Sequence, residues 1–419
     1  MIVFFGGFYW FGAPAQAFMV ALLAQMAMNP PKLLISPKSM LLCYYLLWYA
    51  FPLNFSDNYT SMAFEAYDQT KSIIFVFVTF QLGYFVTSFP LNFKKSNFSV
   101  KGQSPRGHIW VSAGLMAAFL MLYVLKTGGV SRWILEGGRN FLYRQGAGLF
   151  YLGFIFSLNY MLICVGFLSH RDKKRGYLAL SFLLVGMLSV FIGSKIKILL
   201  SLLCLGYPFL YEKKFLTIKN IKFIGLAAGI VVVLFALRYR GDQNVGAYIQ
   251  YITKYFNTYE ALLISVRDIE PQPFMTFFLP FNKISNLLFG TDLHYDLSLY
   301  LTSIYYSTHY SINATVQWPI ETDMYLNFGY WFGLPVLALF FALYNMIFFF
   351  MISRGNLGGL FFALNIALYF MGHLRSSVIY WTDFYYFPAL LGAYVLLCKI
   401  PLVTQSQNFS KNASDDVAI

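Results

Sequence analysis

Glu321 and Asp323 stand one residue apart, where the chain passes from a long polar segment back into apolar sequence. A carboxylate so placed can take the proton of an attacking hydroxyl if it reaches hydrogen-bond distance. Glu260 and His309, in the same polar segment, are the further acid–base candidates. Each has a plainer role open to it as well: Glu321, at the start of a helix, would complement the helix dipole. A second group of residues suits anions. Lys195 and Lys197 lie in Gly193-Ser-Lys-Ile-Lys, Arg238 and Arg240 close a later apolar run, and Arg375 lies in His373-Leu-Arg-Ser-Ser377. Guanidinium forks match phosphate oxygens in pairs and ammonium groups add point charge, so these five cations could grip a diphosphate. Snorkelling of their long stems to lipid phosphates is the alternative.

A third set points to sugars or lipid. Arg132, Arg139 and Arg144 are interspersed with Trp133, Leu135, Phe141 and Tyr143, a pattern that suits a segment lying in a membrane interface. The paired glycines Gly128-Gly129 and Gly137-Gly138 allow close approach of backbone to a ligand. Tyr248, Tyr251, Tyr255, Tyr259, Leu262 and Leu263 recur at helical spacing, so one amphipathic helix is expected between Tyr248 and Arg267. Aromatic faces and scattered carboxylates are what a glycan needs for stacking and hydroxyl recognition. Metal chemistry has little support: there is no His/Cys cluster, no HExxH, and only Glu321-Thr-Asp323 hints at an acid-x-acid pattern. A P-loop and a GxGxxG are also absent, so no metal or cofactor is expected.

The elements that must position these residues are membrane helices. Hydrophobic residues make up 58% of the 419, aromatics 20% and charged residues 11%, and the mean hydropathy is +0.60. Such a chain is an all-α polytopic membrane protein rather than a soluble globule. Apolar runs near 2–27, 38–53, 72–91, 108–125, 147–168, 177–193, 196–211, 222–237, 325–351, 357–373 and 377–397 predict about 11 transmembrane helices. The stretch 177–211 is too long for one crossing, so a tight turn at Gly193-Ser194-Lys195 is expected to divide it.

Short basic connections recur at every second turn, including Lys94/Lys95/Lys101/Arg106 and Arg171/Lys173/Lys174/Arg175. By the positive-inside rule these are cytoplasmic, which accounts for the formal charge of +13 and removes any need for nucleic acid. The N-terminus and the long loop then lie outside. So do Lys195, Lys197, Arg238, Arg240 and Arg375, against the orienting rule. The expected organisation is helices 1–8 over 1–237 with an interfacial segment at 126–146, an outer loop at 238–324, helices 9–11 over 325–399, and a cytoplasmic, disordered tail at 400–419. Cys43, Cys164, Cys204 and Cys398 fall in apolar helices or near the inner face, so no disulfide framework is expected. No basic leader precedes the first apolar run, and no cleavable signal is expected.

The order of these features resembles the Wzy-type oligosaccharide repeat-unit polymerases, which assemble O-antigen and related polysaccharides in bacterial inner membranes. The likeness runs from about Leu120 to Leu397. It rests on Gly128-Gly129 with Arg132, Arg139 and Arg144; Gly193-Ser-Lys195; Arg238-Tyr-Arg240-Gly241; Tyr259-Glu260; Glu321 with Asn327-Phe-Gly-x-x-x-Gly333; and Arg375. Lys195 stands where family members commonly show arginine.

The resemblance implies a GT-C-like membrane glycosyltransferase with its active face in the periplasm. It would use undecaprenyl diphosphate as part of its substrate rather than as a cofactor. Its partners would be lipid-linked repeat units, with room for a chain-length regulator and a flippase. Lys195, Arg240 and Arg375 would stabilise the leaving diphosphate, and a carboxylate, Glu321 by preference, would activate the acceptor. Two alternatives stay open: an O-antigen ligase-type enzyme using the same donor, and a lipid-linked glycan transporter or flippase.

Overall fold

The computed structural model describes residue 6 and residues 14–55, 64–89, 98–99, 105–136, 146–192, 195–211, 256–308, 316–400 and 403–404. Helices account for nearly all of it. The only strands among the described residues are a two-residue antiparallel pair, Phe98–Ser99 with Val403–Thr404, and turns and loops make up the rest. Among the described residues, five helices are long and apolar enough to cross a membrane: Ala66–Val86, Arg106–Lys126, Gly148–Asp172, Leu334–Ser353 and Leu357–Leu374. Shorter apolar helices cover Pro14–Met28, Gly176–Ile192, Leu200–Leu210 and Asp383–Leu397. The expected run at 222–237 lies outside the described residues.

Local sequence explains where several helices start and break. The first helix that the described residues show as a run is Pro14–Met28; the residues just before it lie outside the described residues. Pro37 opens the next helix, capped by a reciprocal pairing of Ser36 and Ser39. That helix, Pro37–Tyr45, passes into a π-helical turn at Leu46–Ala50 and resumes at Phe51–Phe55. Within the long run 177–211 the described helices are Arg175–Ile192 and Lys195–Leu210, and the turn expected between them falls on residues 193–194, outside the described residues.

The run 325–351 is not one rod. Its first part belongs to a helix that begins earlier, Ile320–Phe332, and a second helix starts at Leu334. Gly329 sits at φ 67° and ψ −169°, outside the helical region, in a left-handed range that glycine enters without steric cost. The expected amphipathic helix is present as Tyr259–Asp268; the part of that expectation before residue 256 lies outside the described residues. The last helix begins at Asp383 rather than near 377, so the turn after Leu374 is longer than a tight hairpin.

The chain divides into two compact units. The first comprises Met1–Pro90, Lys213–Met346 and Ala367–Tyr386; the second comprises Leu91–Glu212, Ile347–Ile366 and Phe387–Ile419. In the second, the Gly148–Asp172 helix is the central element, packed by Arg106–Lys126 and Lys195–Leu210. Gly166 lets the Leu205 carbonyl come so near that any Cβ would collide with it. In the first, Tyr259–Asp268 packs on Ile320–Phe332 and Ala66–Val86. The Tyr259 hydroxyl donates to the Gln69 carbonyl at 2.7 Å, which fixes the approach of two of these helices.

Candidate functional site

Glu321 and Asp323 both lie in the first turn of the Ile320–Phe332 helix and are both buried. Three phenols converge on Glu321. Tyr49 donates to Oε2 at 2.9 Å, Tyr44 to the same oxygen at 3.3 Å, and Tyr45 to Oε1 at 2.5 Å. The π-helical turn makes this possible: Tyr44 and Tyr45 end the helix before it and Tyr49 lies within it, so three hydroxyls reach one carboxylate. Such turns are rare and recur at functional sites. Two residues on, Asp323 is filled just as fully. Thr276 Oγ1 and Asn327 Nδ2 donate to Oδ1 at 2.6 and 3.0 Å, and the Val378 N–H donates to Oδ2 at 3.0 Å.

The Val378 contact ties Asp323 to the turn that carries Arg375. This turn is pinned throughout. His373 Nδ1 donates to the Ser377 carbonyl at 2.7 Å, and the Tyr380 hydroxyl donates to the Gly372 carbonyl at 2.7 Å. Asp383 accepts from the Tyr380 N–H at 2.8 Å and from the Tyr369 hydroxyl at 2.7 Å. Held this way, the half-buried Arg375 places its guanidinium over the Trp48 ring at 5.0 Å. Its Nε donates to Gln317 Oε1 at 3.0 Å, and Trp48 Nε1 donates to the same oxygen at 3.0 Å. Trp48 stacks on Tyr44 with centroids 5.8 Å apart, so a chain of contacts links Arg375 through two aromatic rings to the Glu321 carboxylate.

The segment just before Glu260 packs against this cluster. The Thr258 hydroxyl donates to the Trp48 carbonyl at 3.2 Å, and Phe256 meets the Trp48 ring edge-on at 4.8 Å. Two residues after Thr258, Glu260 opens the first turn of Tyr259–Asp268 half-buried, with its N–H on Asn257 Oδ1 at 3.3 Å. It is the one described acid–base candidate that keeps solvent access. In the same unit, burial raises the Asp296 carboxyl above its ordinary range, while the N–H groups of Ser298 and Leu299 that it caps pull it back.

Tyr259, in the first unit, is buried with its hydroxyl on the Gln69 carbonyl, and the other candidates divide between the second unit and the undescribed residues. Lys197, half-buried, lies over the Tyr151 ring at 4.3 Å. Lys195 lies in the helix Lys195–Leu210, and its side chain is not among the described ones. Arg132 is half-buried in Gly129–Glu136, a helix anchored by Trp133 Nε1 donating to Thr127 Oγ1 at 2.8 Å. Gly128 and Gly129 precede it at φ 112° and 80°. His309, Arg139, Arg144, Arg238 and Arg240 lie outside the described residues. Among the described residues, no three His, Cys, Asp or Glu side chains gather as metal ligands.

Sequence reasoning missed Trp48, Gln317 and the three tyrosines. The dense aromatic stretch Tyr44-Tyr-Leu-Leu-Trp-Tyr49 was the available signal, since hydroxyl- and N–H-bearing rings in an apolar run need buried partners. No family model matches this chain, and no curated protein or solved structure matches it.

Proposed function

We propose that this protein is a multi-pass bacterial inner-membrane glycosyltransferase. It polymerises undecaprenyl-diphosphate-linked oligosaccharide repeat units of an O-antigen or similar polysaccharide at the periplasmic face. The observation that carries the reading is the guanidinium of Arg375, held by a tryptophan face and an amide oxygen in the same compact unit as three candidate carboxylates. Fixed cations in a low-dielectric site stabilise charge that develops on a departing diphosphate.

In this mechanism the bond between the anomeric carbon and the carrier diphosphate breaks, and the diphosphate oxygen keeps the electron pair beside Arg375. The acceptor hydroxyl oxygen forms the new bond to the anomeric carbon and gives its proton to a carboxylate. Glu260 is now preferred for that step over Glu321 and Asp323, whose oxygens are buried and engaged by donors. Glu321 and Asp323 shape the site instead. Lys195, Lys197, Arg238 and Arg240 remain candidates for the diphosphate, and Arg132, Arg139, Arg144 and Tyr259 for glycan or lipid.

The test is glycan polymerisation in cells or membranes carrying variants that still insert normally. Arg375→Ala and Glu260→Gln should each abolish long-chain glycan and leave single repeat units on the acceptor. Normal chain length in Arg375→Ala would refute the reading. Loss of all glycan transfer on deleting the gene would favour the ligase-type alternative.

A further inference from the structure

The orientation of one amide extends the proposed diphosphate site. Gln317 Oε1 lies 3.0 Å from Trp48 Nε1 and 3.0 Å from Arg375 Nε. An indole N–H and a guanidinium N–H only donate, so the amide atom between them must be the oxygen. That removes the usual ambiguity between the two ends of a glutamine. Both lone pairs of the oxygen are engaged, and the NH2 group must point away from Trp48 and the Arg375 Nε. Gln317 is itself half-buried, just ahead of Pro319 and the Ile320–Phe332 helix, so its amide is held on structured backbone.

From this we infer that Gln317 is a ligand-binding residue: its amide N–H groups stand beside the Arg375 guanidinium as a second set of donors for the same oxyanion. The chemical class is a phosphate or diphosphate group. The pairing has a selective consequence. A lone cation attracts any anion, whereas a guanidinium flanked by neutral N–H donors favours a group with several acceptor oxygens in a fixed arrangement. Trp48 takes no direct part in this and acts as a positioning residue, holding both the guanidinium plane and the amide oxygen.

This inference rests on the diphosphate reading above, and the experiment separates the two. The full chain in phosphatidylcholine nanodiscs is titrated with farnesyl diphosphate and, separately, with inorganic pyrophosphate. Gln317→Glu keeps an acceptor for Trp48 and Arg375 but replaces the donors with a carboxylate. It should retain the thermal midpoint of the parent and weaken farnesyl diphosphate at least about 10-fold, the scale of a lost charge-assisted hydrogen bond. Gln317→Met, which removes donors and acceptor together, should weaken binding without adding charge, and so controls for simple repulsion.

Unchanged affinity in both variants, with binding lost in Arg375→Ala, would overturn the role of Gln317 and leave the diphosphate site standing. Absence of binding by the parent chain to either probe would overturn both. Gln317-dependent binding of pyrophosphate with equal strength would support the donor pair and assign the anion to a soluble source rather than a lipid.

Discussion

The two compact units differ in what their interiors hold. In the second, the buried polar side chains among the described residues are neutral: serines, a threonine and the asparagines Asn159 and Asn365. Ser201 donates to Asn159 Oδ1 at 2.8 Å between two helices that also bury Cys164 and Cys204 and approach closely at Gly166. In the first, Lys38, Glu321, Asp323 and His373 are all buried. Even Lys38 is only 7% exposed, with its ammonium on Asn29 Oδ1 at 3.0 Å and over the Tyr84 ring at 4.4 Å. A helical bundle does not need ionisable groups inside to be stable, and burying them is costly unless each is hydrogen-bonded. The contrast therefore marks the first unit as the place where composition departs from what packing alone requires.

The largest effect that would sharpen this contrast is expected at Glu321. Glu321→Ala strands three buried phenol donors at once, and should lower stability by about 3–5 kcal/mol, read as a fall in the detergent thermal midpoint. Glu321→Gln keeps an acceptor and should lose clearly less. Equal losses would mean that the phenols find other partners and that the carboxylate is not their organiser. A smaller effect is expected in the second unit. Asn159→Leu alone leaves the Ser201 hydroxyl without its acceptor, whereas adding Ser201→Ala should bring the protein back to within about 1 kcal/mol of the parent. A double variant as damaged as Glu321→Ala would erase the distinction between the units.

The smallest effect is expected at the surface. Arg267 donates to Asp268 at 2.5 Å and 2.9 Å, and this hydrogen bonding holds the Asp268 carboxyl below its ordinary range. A depressed folded value means that the stabilisation is complete above the unfolded value of about 3.9 and is lost as pH falls through the folded one. Arg267→Gln should remove that dependence at acid pH and change stability near neutrality by less than about 1 kcal/mol, because exposed pairs are screened by water. A pH-stability curve measured on both proteins decides it.

The helices were the most legible part of the sequence. Expected runs at 108–125, 147–168 and 357–373 meet helices Arg106–Lys126, Gly148–Asp172 and Leu357–Leu374 within a few residues, because length and hydropathy are local quantities. The candidate site was only partly legible. Arg375, Glu260, Glu321 and Asp323 were visible as charges at the edges of apolar runs, but the freedom of each was not. Glu321 looked available as a base because it stands where a polar segment re-enters apolar sequence; its donors lie 272 to 277 positions earlier, in a run that reads as an ordinary span. The break at Gly329 was written in the chain only as a glycine, and glycine also occurs inside helices at a modest cost.

Hydrophobicity and charge, summed along the chain, determined that this protein is a helical membrane protein and where most of its described helices run. Partnership was decided by packing. That Glu321 is gripped by three phenols while Arg375 lies between a tryptophan face and an amide oxygen depends on hydrogen-bond direction and distance between segments remote in sequence. Those quantities have no counterpart in a linear pattern, since they exist only once the backbone has been brought together.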